Sequence, residues 1–497
     1  MRAETAVAVE TFGGRVHVEW DPQAAVTPMG QLPFFIEFLK TAELFEPWVS
    51  DCPLQWASPN APSKRDILGT LLLSVLAGHW RYAHITSIRA DGVNPPLLGM
   101  GKVVSEDSVR RAFMPAEREA CGQWQVAHLR RCYEPLFCEP WILDIDTTVK
   151  PLYGHQEGAK VGFNPHKPGR PSHVYHTYFM ANVRLVLDVE VQAGNRTAGL
   201  YTRPGLFAFL DDLPREKWPA FVRGDIAFGN EGMINDCEVR SLHYLFKIRQ
   251  SSKVKRLIGE VFGRSDWVAG GQGWEGVEAT LRLMGWTRER RVIVLRRECR
   301  GEVMLEKTEA SGQMMFAEIE TAEGVKRYEY AVLVTSLPDS IPALAQHYRD
   351  RADAENVMDE LKNQWSWCGY TTCDLKRCQI MARMAGLIYN WWSLFVRLAI
   401  PERHAEAITS RPLLLHAVGK KTEHAGQTRV TITSTHAEAD AIRKVLSGLS
   451  TFFQWLRSSA EQLDWGQRWR ILLSRVFVYF LGGRLLATPA KLLGESP

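Results

Sequence analysis

The chain has 497 residues, 45% of them apolar, and a formal net charge of +4. That length exceeds one compact core and predicts about three domains or one large domain with insertions, and the apolar content excludes a disordered chain. A charge this close to balance restricts any nucleic-acid contact to local basic patches.

The longest apolar run, ILGTLLLSVLAGHW from Ile67, falls short of the ~20 residues that a membrane span requires. The opening MRAETAVAVETFGG carries no secretory apolar stretch. The expectation is a soluble, cytoplasmic protein with no membrane partner. Nine cysteines, an odd number scattered over a long chain, read as reduced thiols. Cys368, Cys373 and Cys378 are evenly spaced, but without the gaps of a zinc knuckle, and read as core residues.

Residues 63–138 read as helices, with a broad apolar face after Ser63 and an N-cap at Ser105. Two short helices around a turn, with Arg110 and Arg111 on the second, suit a helix-turn-helix; plain helical packing suits them equally. After Pro140 the period changes to strands: WILDIDTTV, then HVYHTYFMANVRLVLDVEVQAG, then AFVRGDIAF and YLFKIRQ, with helical RPGLFAFLDDLP between the second and third. This pattern predicts an α/β layer around a mixed sheet. From 253 to 335, short β-rich pieces such as RVIVLRRE and RYEYAVLVTSL predict an inserted antiparallel unit. CQIMARMAGLIYNWWSLFVRLAI predicts an apolar helix over the sheet. Residues 401–497 combine the β pattern TRVTITST with two helical stretches carrying Trp455, Trp465 and Trp469, which pack either internally or on a second subunit.

Carboxylates stand where a buried strand carries charge only for a reason. Asp144 and Asp146 alternate with isoleucines on one face of WILDIDTTV, and Asp225 ends an apolar run before a glycine turn. Strand-end carboxylates of an open α/β sheet lie where active sites form. A third acid comes from HYRDRADAENVMDELKNQW, residues 347–365, which lacks Pro and Gly and predicts one helix. At about 100° per residue, Tyr348, Arg351, Glu355 and Lys362 fall within a sector of roughly 60°. Asp146, Asp225 and Glu355 supply the oxygen ligands that a pair of magnesium ions prefers.

These motifs resemble the bacterial insertion-sequence transposases with a DDE triad, and within them the group marked by Tyr, two residues, Arg, three residues, Glu, six residues, Lys. Tyr348, Arg351, Glu355 and Lys362 match every gap; Asp146 and Thr148 match the first-strand pattern, and RGDIAFGNEGMI carries Asp225. The resemblance spans roughly residues 65–400. It implies a ribonuclease-H-like mixed-sheet core interrupted by an antiparallel β insertion, with a helical N-terminal and a mostly helical C-terminal region. The implied division is 1–139, helical and DNA-binding; 140–252, first part of the core; 253–335, the insertion; 336–400, second part of the core with Glu355; and 401–497, a candidate dimerisation region.

The resemblance further implies Asp146, Asp225 and Glu355 as catalytic metal ligands for two Mg2+ (or Mn2+) ions. Asp144 takes a supporting place behind Asp146. Tyr348, Arg351 and Lys362 are implied as DNA-phosphate ligands, and Trp274 or Trp286 as a residue stacking on a flipped base. The implied activity is cleavage at transposon ends through a hairpin and strand transfer into target DNA, by a homodimer in a synaptic complex associated with the bacterial nucleoid. Two other readings use the same residues: a catalytically silent DNA-binding repressor, and a metal-dependent nuclease that does not join strands. The loop after the first strand, with Lys160, Lys167 and Arg170, suits DNA contact; the irregular spacing of His155, His166, His173 and His176 argues against zinc.

Overall fold

The computed structural model describes residues 6–56, 58, 60–299, 316–321, 324–367 and 369–486. Cys368 and the first two residues of MMFAEIET lie outside the described residues. The strand-patterned segment builds a mixed sheet of eleven strands. β1 (Ile142–Pro151), β2 (Pro171–Met180) and β3 (Leu185–Ala193) form an antiparallel meander. The long apolar run divides into β2 and β3 because Arg184, with φ of 54°, turns the chain. β4 (Phe221–Gly224) and β5 (Tyr244–Lys247) then lie parallel to β1 on its other side, giving the order β3-β2-β1-β4-β5. Parallel neighbours need crossovers. Helix α1 (Ala198–Asp211) lies between β3 and β4, and α2 (Glu231–Val239) between β4 and β5.

The segment 253–335 widens this same sheet. Strands β6 (Val268–Gly271), β7 (Trp274–Leu281), β8 (Arg290–Glu298), β9 (Phe316–Thr321) and β10 (Gly324–Thr335) pair antiparallel, and β10 joins β5 through Leu333 opposite Lys247. The segment opens on a helix, Ser252–Phe262, where the sequence reading expected strands. Val254, Leu257, Ile258 and Val261 are its buried face, a helical period inside a β-rich stretch.

Two helices follow where the sequence reading expected one: α3 (Ile341–Arg349) and α4 (Ala352–Gln364). Next, α5 (Leu375–Ala399) runs along β3, the open edge of the meander. An open edge leaves backbone groups without partners. Side-chain amides of α5 satisfy them. Asn390 accepts from Val186 N at 2.9 Å and donates to Val186 O at 2.8 Å, while Gln379 does the same for Val191 N and Val189 O, each at 2.6 Å. Arg383 adds a bidentate pair with Asp188, at 2.7 and 2.8 Å. Replacing either buried α5 tryptophan, Trp391 or Trp392, with alanine would cost about 3–5 kcal/mol.

The N-terminal region is not wholly helical. It begins with an exposed hairpin, Val7–Thr11 with Gly14–Val18, and Val26–Thr27 pairs with the strand Val418–His424. Helix Leu32–Thr41 packs on helix Ala439–Ser458, while Trp465 and Trp469 donate to the carbonyls of Ala42 and Arg131 at 3.0 and 2.8 Å. The C-terminal tryptophan face is thus used internally. Arg110 lies 5.4 Å from the Tyr82 ring centre, and Arg111 pairs with Asp107 on the exposed face of their helix. Among the described residues, no helix is long and apolar enough to cross a membrane.

Candidate active site

The parallel pairing of β1, β4 and β5 places the acids. Ile145 pairs with Gly224, and Gly224 with Phe246. Asp146, Asp225 and Lys247 are each the next residue along, so they sit side by side where the parallel pairing ends. That is the sheet end where α/β ligands bind. Glu355 reaches the same place from the first turn of α4. Asp146, Asp225, Glu355 and Lys362 all line one cavity of about 1020 Å³. Asp225 is held by an Asx turn, its Oδ1 accepting from Ala227 N at 2.9 Å.

Arg351 ties the acids together. It donates to Asp146 Oδ2 at 2.7 Å and to Glu355 Oε1. Asp146 and Arg351 are both buried at 7% exposure, whereas Glu355 is exposed. Burial pushes the Asp146 carboxyl up to about 7; Arg351 pulls it down, and the neighbouring Asp225 and Glu355 push it up again. Lys247 is driven below the ordinary lysine range by burial and by Arg351, with Asp225 and Glu355 pulling the other way. Burial raises the Tyr348 hydroxyl, which feels Arg351 and all three acids.

Asp144 does not line the cavity. It forms a buried ion pair with Arg223, whose Nη2 lies 2.9 Å from Asp144 Oδ2. Arg223 Nη1 also donates to His347 O. In an unbroken helix that carbonyl would accept from Arg351 N, which instead donates to Tyr348 O at 3.2 Å. A side chain entering the helical ladder breaks it. This is why α3 and α4 are separate, and why Tyr348 lies on one helix and Glu355 on the other. Tyr348 is half-buried against the small apolar cluster that includes Phe221, Leu245 and Leu344, and is not in the cavity lining.

The insertion tryptophans do not reach the cavity. Trp286 is a correction to the base-stacking reading: it is a core residue at 5% exposure, with Arg290 over its ring. Trp274 is half-buried, with the Arg297 guanidinium 5.0 Å from its ring centre. His173 donates to Glu157 O at 2.7 Å, and His176 lies 2.6 Å from Thr202 Oγ1, both buried in β2. The sequence reading missed Lys247, Arg223 and the cavity-lining Arg203. For Lys247 the signal was present: it ends an apolar strand as Asp225 does.

Among the described residues, no three His, Cys, Asp or Glu side chains converge as a finished metal cage. The donor set nevertheless fits a hard divalent cation. Asp146 and Asp225 are adjacent oxygen donors, the exposed Glu355 keeps one carboxylate oxygen outside its pair with Arg351, and magnesium takes one or two carboxylates and completes its shell with water and phosphate.

Residues 58–453 match the family described as transposase DDE domain group 1. The chain belongs to this DDE transposase family. Domains of this family use divalent metal ions to cut DNA, and transposases bind transposon-end DNA. No curated protein matches the chain. Among solved structures, the cryo-EM structure of a piggyBac transposase synaptic complex with hairpin DNA is similar at 12% identity, with a TM-score of 0.38, over 95% of this chain and 89% of that one.

Proposed function

We propose that this transposase cuts DNA at the ends of a bacterial insertion sequence and joins the freed ends to target DNA, with Asp146, Asp225 and Glu355 as the catalytic metal ligands. One observation carries the reading: three acids from β1, the β4 end and α4 open into one cavity although 130 residues separate Asp225 from Glu355. The strand order β3-β2-β1-β4-β5 supports a ribonuclease-H-like core. It consists of 140–252 and 336–400, split by 253–335, with 1–139 and 401–497 serving end binding and assembly.

The ion is magnesium, or manganese, two per site; when bound, it supplies Lewis-acid stabilisation of the transferring phosphoryl group. Asp146 and Asp225 hold its oxygen-ligand positions, with Glu355 closing them from α4. Lys362 offers a DNA phosphate a point charge from the cavity wall, and Arg351 offers it a planar fork once a cation has displaced it from Asp146 and Glu355; Tyr348, which lies outside the cavity lining, meets the strand beyond the cavity. Asp144 acts through Arg223 to fix the helix break that aims Arg351 and Glu355. The match to the Tyr-Arg-Glu-Lys signature supports cut-and-paste movement through a hairpin on the transposon end. Two ends cut together call for a homodimer, on DNA in the bacterial cytoplasm.

The test is cleavage of a labelled end duplex in magnesium, read on a denaturing gel. Nicked and hairpin products with the wild type, absent with Asp225→Ala, are expected; cutting that persists in Asp225→Ala would refute the assignment.

A further inference from the structure

Strand Val418–His424 turns back into strand Gln427–Thr433 through Ala425 and Gly426, at φ of 50° and 74°. Two left-handed residues give the turn whose twist matches a paired ribbon, and its length fixes the register. His424 lies opposite Gln427, Thr422 opposite Arg429, Lys420 opposite Thr431 and Val418 opposite Thr433. Opposed residues share a face, and every residue of this face is exposed.

The other face is the packed one. Gly419 is buried and Lys421 and Val430 are half-buried, and Glu423 stands there with Lys421 at 2.9 Å. The exposed face therefore holds Lys420 and Arg429 with no carboxylate among them, and among the described residues neither forms an ion pair. A face that serves only solubility mixes both signs; this one carries a single sign with Thr, Gln and His between.

An isolated two-stranded ribbon is marginal in water, and this one is tied at its base. Gly30 N donates to Ala417 O at 2.7 Å and Lys421 N to Ala25 O at 2.9 Å. The helix before it, Ala407–Leu414, is seated on α4: Ala407 N donates to Glu360 Oε1 at 3.0 Å and Ile408 N to Gln364 Oε1 at 2.7 Å. The ribbon is thus anchored to the helix that carries Glu355 and Lys362.

We infer that the exposed face of this ribbon lies in the major groove of the transposon-end duplex and reads base edges there. The inference rests on the transposase reading above. The major groove admits a two-stranded ribbon, Arg and Lys bind the guanine edge, Gln the adenine edge, and Thr either. At about 3.3 Å per residue each strand is roughly 23 Å long, enough to follow the groove over several base pairs. Base-reading side chains suit the end, whose sequence is constant, over the target. The tie to α4 sets the distance between the bases read and the phosphate cut.

The experiment measures binding of full-length protein to a labelled end duplex and to a scrambled duplex in EDTA. The wild type is compared with a combined Lys420→Ala, Gln427→Ala, Arg429→Ala variant and with Thr428→Ala on the opposite face. The combined variant should keep the wild-type Tm, since its side chains are exposed, and lose at least about tenfold more affinity for the end than for the scrambled duplex. Thr428→Ala should match the wild type. A 7-deazapurine, which removes only a major-groove acceptor, should weaken the wild type at one or more positions and leave the combined variant indifferent there. Unchanged end affinity, an equal loss on both duplexes, or 7-deazapurine losses that persist in full in the combined variant would overturn the ribbon's role alone. A wild type with no preference for the end would overturn the transposase reading and the ribbon with it.

Discussion

Arg223 donates a guanidinium N–H to the carbonyl of His347, the acceptor that an unbroken helix would have given to Arg351. The buried Asp144–Arg223 pair thus sets where α3 ends and α4 begins. Removing one partner leaves a buried charge, so Asp144→Ala should destabilise the fold by about 3–5 kcal/mol in denaturant unfolding. Asp144→Leu combined with Arg223→Met should recover most of that stability while cutting stays depressed, because the helix break no longer aims Arg351. A double variant with full activity would show that the pair is structural only.

Arg351 competes with a cation for Asp146 and Glu355. Arg351→Gln should melt below the wild type in EDTA, since Asp146 loses its partner. It should also gain more in Tm on adding manganese, because a ligand that binds only the folded state stabilises by linkage and its rival is gone. Thermal melts with and without manganese decide this; an equal gain in both proteins would contradict it.

Asp146 makes metal-free stability depend on pH. An unfolded aspartate titrates near 3.9, whereas burial pushes Asp146 up to about 7 in the fold. Between those values the folded state holds a proton that the unfolded state has lost, so this group's contribution falls as pH rises through the window. The Tm of Asp146→Asn minus that of the wild type should therefore grow between pH 4 and 7 in EDTA. A difference independent of pH would show that the carboxyl is not raised.

Lys362 lines the cavity without a role in the core. If it holds a DNA phosphate, Lys362→Ala should weaken end binding across sequences and lower the slope of log affinity against log salt by about 1. Filter binding over a salt series measures this, and an unchanged slope would remove Lys362 from the DNA contact.

Much of this was legible in the chain because charge in an apolar strand and fixed spacing are local signals. Asp146 announced itself as a charge inside an apolar strand, Asp225 at a strand end, and Glu355 through its distance from Arg351 and Lys362. The helix break was not legible, because it is imposed by Arg223, a residue far away in sequence whose place in FVRGD reads only as a strand end. The continuity of 253–335 with the main sheet depends on β10 finding the β5 edge, a pairing that periodicity does not encode. The contact of Trp465 and Trp469 with the N-terminal helices is equally long-range. Trp286 misled because an aromatic in an insertion looks the same in sequence whether it faces the core or a ligand.

The most direct test of the central claim is a strand-transfer assay with end duplexes, supercoiled target and magnesium, comparing the wild type with Glu355→Gln. Metal-assisted charge stabilisation is worth several kcal/mol, so the variant should lose joined product by at least about a thousandfold while still binding the ends. Joining that survives in Glu355→Gln, or a wild type that cuts without joining, would contradict the account.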